Sequence, residues 1–187
     1  MECVLHSLRV NQMGELMTTE LEKFYSAIES IDTAMMVTRR ADGHLRARAM
    51  ANQKRAGGAD LWFVTREGSA KLADLAQDPH LNLSYYRDSN REWVSVSGTA
   101  IISRDRDKIR ELYQPDWKIW FAEEGDPLQG TPNDPRMVLI GVTVHAAEFL
   151  EVNKSRPVLL FELVKGWVTG TEPEFGEMHH LTQPTRP

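Results

Sequence analysis

Apolar positions recur along the chain with two different periods, and the switches between them divide it into elements. Leu21, Phe24, Ile28 and Ile31 fall at helical spacing, and Thr19 with Glu22 three residues on reads as a capping box. This predicts a helix from Thr19 to Ser30. From Ala34 the period shortens. Ala34 to Thr38 is a compact apolar run, and Asp42-Gly43 is a hairpin turn signal because glycine accepts the positive φ such turns need. From His44 to Asn52, Leu45, Ala47, Ala49 and Ala51 alternate with Arg46, Arg48 and Met50, the period of two expected of a strand.

The same reading continues to the C-terminus. Asp60 to Thr65 predicts a third strand, and Ser69 opens a short helix whose Leu72, Leu75 and Ala76 share a face before Pro79. Leu81 to Tyr86 and Trp93 to Ile102 predict strands four and five, joined by the turn Asp88-Ser89-Asn90. Arg104 to Tyr113 reads as helical, Pro115 starts a second short helix carrying Trp117 and Trp120, and Glu123 to Pro135 is a loop. Met137 to Phe149 predicts a long sixth strand. Leu159, Leu160, Leu163, Val164 and Trp167 predict a helix from Ser155 to Val168, closed by Gly170. Strands joined mainly by hairpins predict a mainly β fold with flanking helices, in which six antiparallel strands suit a small barrel. The domain is expected over 17–170. Residues 1–16 form an extension with Met17 as a candidate initiator, and 171–187, with three prolines, form a mobile C-terminal tail.

Composition narrows the function. The 187 residues carry 22 Lys and Arg against 27 Asp and Glu, a net charge of -5, which argues against a general nucleic-acid binder. No stretch approaches the roughly 20 apolar residues of a membrane span. A single cysteine, Cys3, excludes an internal disulfide framework and a Cys-rich zinc site, and the chain reads as cytoplasmic. His179-His180 is the one histidine pair, and no second cluster in the sequence supports a metal site.

Charge is unevenly placed within that acidic total. From Arg39 to Lys71 there are eight basic residues and three acidic ones. A local basic field in an acidic protein favours a small anion over a polyanion. At its centre a strand ends at Thr65, a glycine-containing turn follows, and a helix starts at Ser69. A helix N-terminus offers unpaired N–H groups and the positive end of a dipole, Ser69 a hydroxyl, Lys71 a full charge, and Arg48 on a nearby strand a forked donor. The competing reading makes Ser69 a simple N-cap and Lys71 a solvated first-turn residue.

Gly43-His44-Leu45-Arg46-Ala47-Arg48-Ala49-Met50, then Leu61 to Thr65 and Ser69-Ala70-Lys71, resembles the pyridoxamine 5'-phosphate oxidase-like FMN-binding split barrels. Asp78 to Tyr85 and Val94 to Ala100 agree. The resemblance spans about Thr19 to Glu151 and is nearest to the bacterial general stress proteins of that family. It implies a six-stranded antiparallel split β-barrel, a homodimer, and FMN, with FAD as the alternative, in a groove at the subunit interface. By position, Arg48, Ser69 and Lys71 would hold the phosphate. Ala49 and Met50 would lie along the isoalloxazine, and Phe63, Val64 and Thr65 would line the ribityl chain and ring. Trp93 stands where the oxidases carry a polar flavin contact. Trp117 and Trp120, at i and i+3, either pack over the flavin or serve subunit packing.

A true pyridoxamine phosphate oxidase would need a C-terminal segment rich in Arg, His and aromatic residues. Here Arg186 is the only late arginine, so vitamin B6 oxidation is not expected. The leading reading is a flavin-binding stress protein with weak oxidoreductase activity. The alternatives are a flavin- or deazaflavin-dependent reductase of a small molecule and, third, a haem-binding or regulatory barrel.

Overall fold

The computed structural model describes residues 19–121, 127–152, 156–170, 172 and 176–182. The N-terminal extension with Cys3 and Met17 lies outside them. Residues 19–31 form helix α1, with Thr19 already helical rather than preceding the helix. Its Phe24 and Ile28 are buried, as their spacing required. Strands β1 (Thr33–Arg39), β2 (Leu45–Ala51) and β3 (Leu61–Arg66) follow, then helix α2 (Ala70–Gln77), β4 (His80–Tyr86) and β5 (Trp93–Ser103). Helix α3 (Arg106–Leu112), a 3-10 helix (Pro115–Phe121), β6 (Met137–Glu151), α4 (Arg156–Thr169) and β7 (Glu177–Thr182) complete the order. Gly43, at φ 83°, closes the β1–β2 hairpin where the sequence placed it.

Six strands follow the path β2-β1-β4-β5-β6-β3, with every pairing antiparallel. They curl into a half-open barrel. Strand β6 is the spine. Its Leu139–Leu150 stretch pairs with β5, while its other edge takes β3 over Met137–Val142 and β7 over Ala146–Glu151. That seventh strand falls within 171–187, which the sequence alone reads as a mobile tail. Its inward positions are His179 and Leu181. A histidine on the buried face breaks the apolar alternation by which a strand is recognised, although its ring stacks on Phe149 at 4.8 Å and 20°.

Two cores flank β3 and β6. The main one, inside the barrel, gathers Phe24, Met36, Phe63, Leu83, Ile140 and Phe149. The second lies outside it, where α3 and the 3-10 helix cover Trp62, Met137 and Leu139 with Ile109, Trp117 and Phe121. Buried on both faces, β3 reads as an almost unbroken apolar run, and it is held rigid up to the turn that opens α2.

Candidate functional site

Strands β2 and β3 end the strand order, and the seam between them opens into a groove of about 440 Å³. One backbone edge of β2 therefore carries no ladder partner among the described residues. The strand's alternation is inverted relative to a simple amphipathic strand. Arg46, Arg48 and Met50 turn inward, while Leu45, Ala47, Ala49 and Ala51 are exposed.

Arg48 is half-buried because a carboxylate waits for it. Its Nη1 donates to Thr38 Oγ1 (2.6 Å) and its Nη2 to Asp74 Oδ2 (3.3 Å), and Thr38 Oγ1 also donates to the same Asp74 oxygen (2.8 Å). Those bonds use two of the five guanidinium N–H groups. Burial pulls the Arg48 pKa below its ordinary value, against the opposing pull of Asp74.

Across the seam, β3 delivers Thr65 and the turn through Gly68, at φ 74°, starts α2. Ser69 occupies the N-cap position, yet its hydroxyl caps nothing. It lies 3.2 Å from Thr65 Oγ1, which also accepts from Lys71 Nζ at 2.8 Å. Ser69 is thus an N-cap by backbone position, without a side-chain cap bond. Lys71 has no carboxylate within 4 Å among the described residues. Burial first, and the charge of Arg48 second, hold its pKa below the usual lysine value. The turn is pinned from outside. Glu67 N–H donates to the Arg136 carbonyl (2.7 Å), and the Glu67 carboxylate takes a forked pair from Arg104 at 2.7 and 2.8 Å.

The two tryptophans of the 3-10 helix part company. Trp117 is 2% exposed, belongs to the second core, and donates from Nε1 to Gln53 Oε1 at 2.8 Å. Trp120 is 75% exposed at the groove rim. Both border the groove, as do Arg48, Ala49, Met50, Val64, Thr65, Ser69 and Lys71. Phe63 does not, since its side chain is fully buried in the main core. Trp93, at the start of β5 opposite Leu150, stands away from the groove.

Sequence reasoning passed over Thr38, Asp74 and Gln53. Asp74 had a signal, because it lies three residues after Lys71 and so shares that helix face. Gln53 had none. Its role depends on Trp117, 64 residues on, and on a backbone bond to the Trp62 carbonyl at 2.9 Å.

Residues 19–174 match the family described as Pyridoxamine 5'-phosphate oxidase like. "Protein bli-3" of Neurospora crassa is 33% identical over 178 residues, covering 94% of this chain and 80% of that one. Among solved structures, the general stress FMN/FAD binding protein of Xanthomonas citri is 27% identical with a TM-score of 0.58, over 74% of this chain and 92% of that chain. A pyridoxamine 5'-phosphate oxidase-related, FMN binding protein of Nostoc punctiforme shares the fold at 15% identity and a TM-score of 0.57, over 87% of this chain and 96% of that one. The chain belongs to the pyridoxamine 5'-phosphate oxidase-like family.

Proposed function

We propose that this protein is a cytoplasmic, homodimeric general stress protein whose β2–β3 groove binds a flavin, FMN in first place and FAD as the alternative. One observation carries the reading. Lys71 and Arg48 face one small space, Asp74 pairs with Arg48 and, at 3.8 Å, with Arg46 but not with Lys71, and the Ser69 hydroxyl beside Lys71 is not used as a cap. An anionic phosphate in that space would offset the burial and the Arg48 charge that hold the Lys71 pKa down and would accept from all three side chains. The first N–H groups of α2 add donors at the same end.

The rest of the groove suits a flat aromatic ring. Val64, Met50 and the exposed Trp120 give apolar surface, and the free edge of β2 gives backbone donors and acceptors. Phe63 would act from behind, by keeping β3 in place. Trp93 has no part in the groove of a single chain. When bound, the flavin supplies the redox chemistry, while the protein binds and orients it. A second copy of the chain has a surface to cover. On the outer face of the β1–β2 hairpin, Met35 pairs with Ala49 and Val37 with Ala47, beside a 65% exposed Leu45. This apolar strip borders the groove.

Titration of the apoprotein with FMN tests the proposal. Binding at micromolar affinity or tighter should quench tryptophan fluorescence, and Lys71→Ala should weaken it about ten- to a hundredfold, the cost of about 1.5–3 kcal/mol for a charge-assisted contact. Absence of FMN and FAD binding by calorimetry would refute the flavin reading. A monomeric mass with flavin bound would refute the dimer alone.

A further inference from the structure

At the far end of β6 the sheet register builds a second cluster, independent of the flavin reading. Glu151 pairs with Glu177, and Phe149 with His179, so these four residues share one face of the β6–β7 ladder. Helix α1 lies over that face and adds Glu20 and Lys23, one turn apart. His179, only 8% exposed, is at the centre. Its Nδ1 is 2.9 Å from Glu20 Oε2. Its Nε2 is buried and makes no hydrogen bond, although Glu151 Oε2 lies 3.1 Å away and Glu177 Oε2 3.9 Å away. The nearer carboxylate is thus close to that nitrogen but badly placed to accept a proton from it.

We propose that Glu151, Glu177 and His179 form a site for one divalent transition cation of the Zn²⁺ class. Three features support this. The three ligand atoms all lie within 4.8 Å of one another. Ligands at tetrahedral zinc distances sit roughly 3.3 Å apart, and the two separations from Nε2 bracket that value. The Glu20–His179 contact reproduces the carboxylate that fixes the tautomer of a metal-bound imidazole, with Nδ1 protonated and the Nε2 lone pair free. The charge also fits. Among the described residues three carboxylates face one cation, Lys23, whose Nζ is 3.7 Å from Glu20 and 3.6 Å from Glu151. The surplus of two negative charges matches one divalent ion. Imidazole with carboxylates is a donor set suited to Zn²⁺ and its neighbours rather than to Ca²⁺ or Mg²⁺. Glu177, 67% exposed at its side chain, leaves an entry path and room for water as a fourth ligand. An ion there would clip β7, the last described strand, to the spine of the barrel.

Calorimetric titration of the full-length, untagged, EDTA-treated chain with Zn²⁺, and absorption spectroscopy with Co²⁺, test this directly. The expected result is one ion per chain at micromolar affinity or tighter, a tetrahedral Co²⁺ spectrum, and a rise in melting temperature on loading. Glu177→Gln, at an exposed position, should keep the metal-free melting temperature while weakening binding at least tenfold. His179→Gln should abolish binding, and His180→Ala, whose ring pairs with Glu148 on the opposite face, should leave it unchanged. No stoichiometric binding, affinity indifferent to Glu177→Gln, or loss of binding on His180→Ala would each overturn the proposal. So would an NMR titration in which His179 stays doubly protonated with Zn²⁺ present, which would make the cluster an ionic latch.

Discussion

The β2–β3 groove and the β6–β7 cluster are opposite in sign but alike in construction. Around the groove Arg46, Arg48, Arg66 and Lys71 outnumber the carboxylates of Asp74 and Asp116, while the cluster sets Glu20, Glu151 and Glu177 against Lys23. A third buried ionic site shows what closure looks like. Asp134, with no exposed surface, accepts from Nε and Nη2 of Arg136 and from the backbone N–H groups of Gly130 and Arg136. There every lobe of the carboxylate has a donor supplied by the loop itself. Burying charge is costly, so charge that serves architecture is paired within the fold. A half-buried surplus of one sign marks a place where the counter-charge comes from outside.

Arg48 stands on both sides of that distinction, so its removal has the largest expected effect. Arg48→Ala leaves Asp74 buried with the Thr38 hydroxyl and the more distant Arg46, and should cost about 3 kcal/mol of stability in urea denaturation. Arg48→Ala combined with Asp74→Ala should recover more than half of that loss, since the stranded carboxylate is then gone. A single-variant cost below about 0.5 kcal/mol would mean that Asp74 does not depend on Arg48, and the two groove cations could no longer be set apart.

Most of the fold was legible in the chain because its signals are local. Period-two runs, Asp42-Gly43, and a glycine after the last helix each act within a few residues. The β7 strand was not legible, because its inward His179 depends on the stacked Phe149 and on Glu20, which lies 159 residues away. The site divides in the same way. Thr65, Ser69 and Lys71 fall within seven residues and could be grouped from the sequence. The opposite fates of Trp117 and Trp120 could not, because in a 3-10 helix i and i+3 share a face, and only the fold decides which ring the second core covers.

Asp134 sharpens the comparison as the balanced case. Arg136 and the two backbone donors lower its pKa from 3.8 to about 2. A carboxylate depressed in the folded state contributes stability that is complete above the unfolded pKa and is lost as pH falls through the folded one. Its contribution should therefore hold above pH 3.8 and disappear toward about pH 2. Asp134→Asn should cost about 2 kcal/mol at neutral pH and flatten that part of the acid-unfolding curve. Unlike the groove cations, it should leave flavin affinity untouched.

Lys71 is expected to give the smallest stability effect, and one whose sign depends on occupancy. In the chain without flavin its pKa is depressed by burial and by Arg48, so the folded state binds this proton less readily than the unfolded chain does. Stability must then rise with pH between the depressed folded pKa and the ordinary lysine value. Lys71→Met removes the penalised charge and keeps the apolar stem. It should raise apoprotein stability at neutral pH by less than about 1 kcal/mol, given the partial solvent screening, and abolish that rise. With FMN bound the ammonium faces an anion, and the same substitution should lower stability instead. Urea denaturation of both proteins, with and without FMN, at neutral and alkaline pH, reads the reversal. A variant that is less stable in both states would show that Lys71 is held by the fold alone, which would place the groove with the closed Asp134 site rather than opposite it.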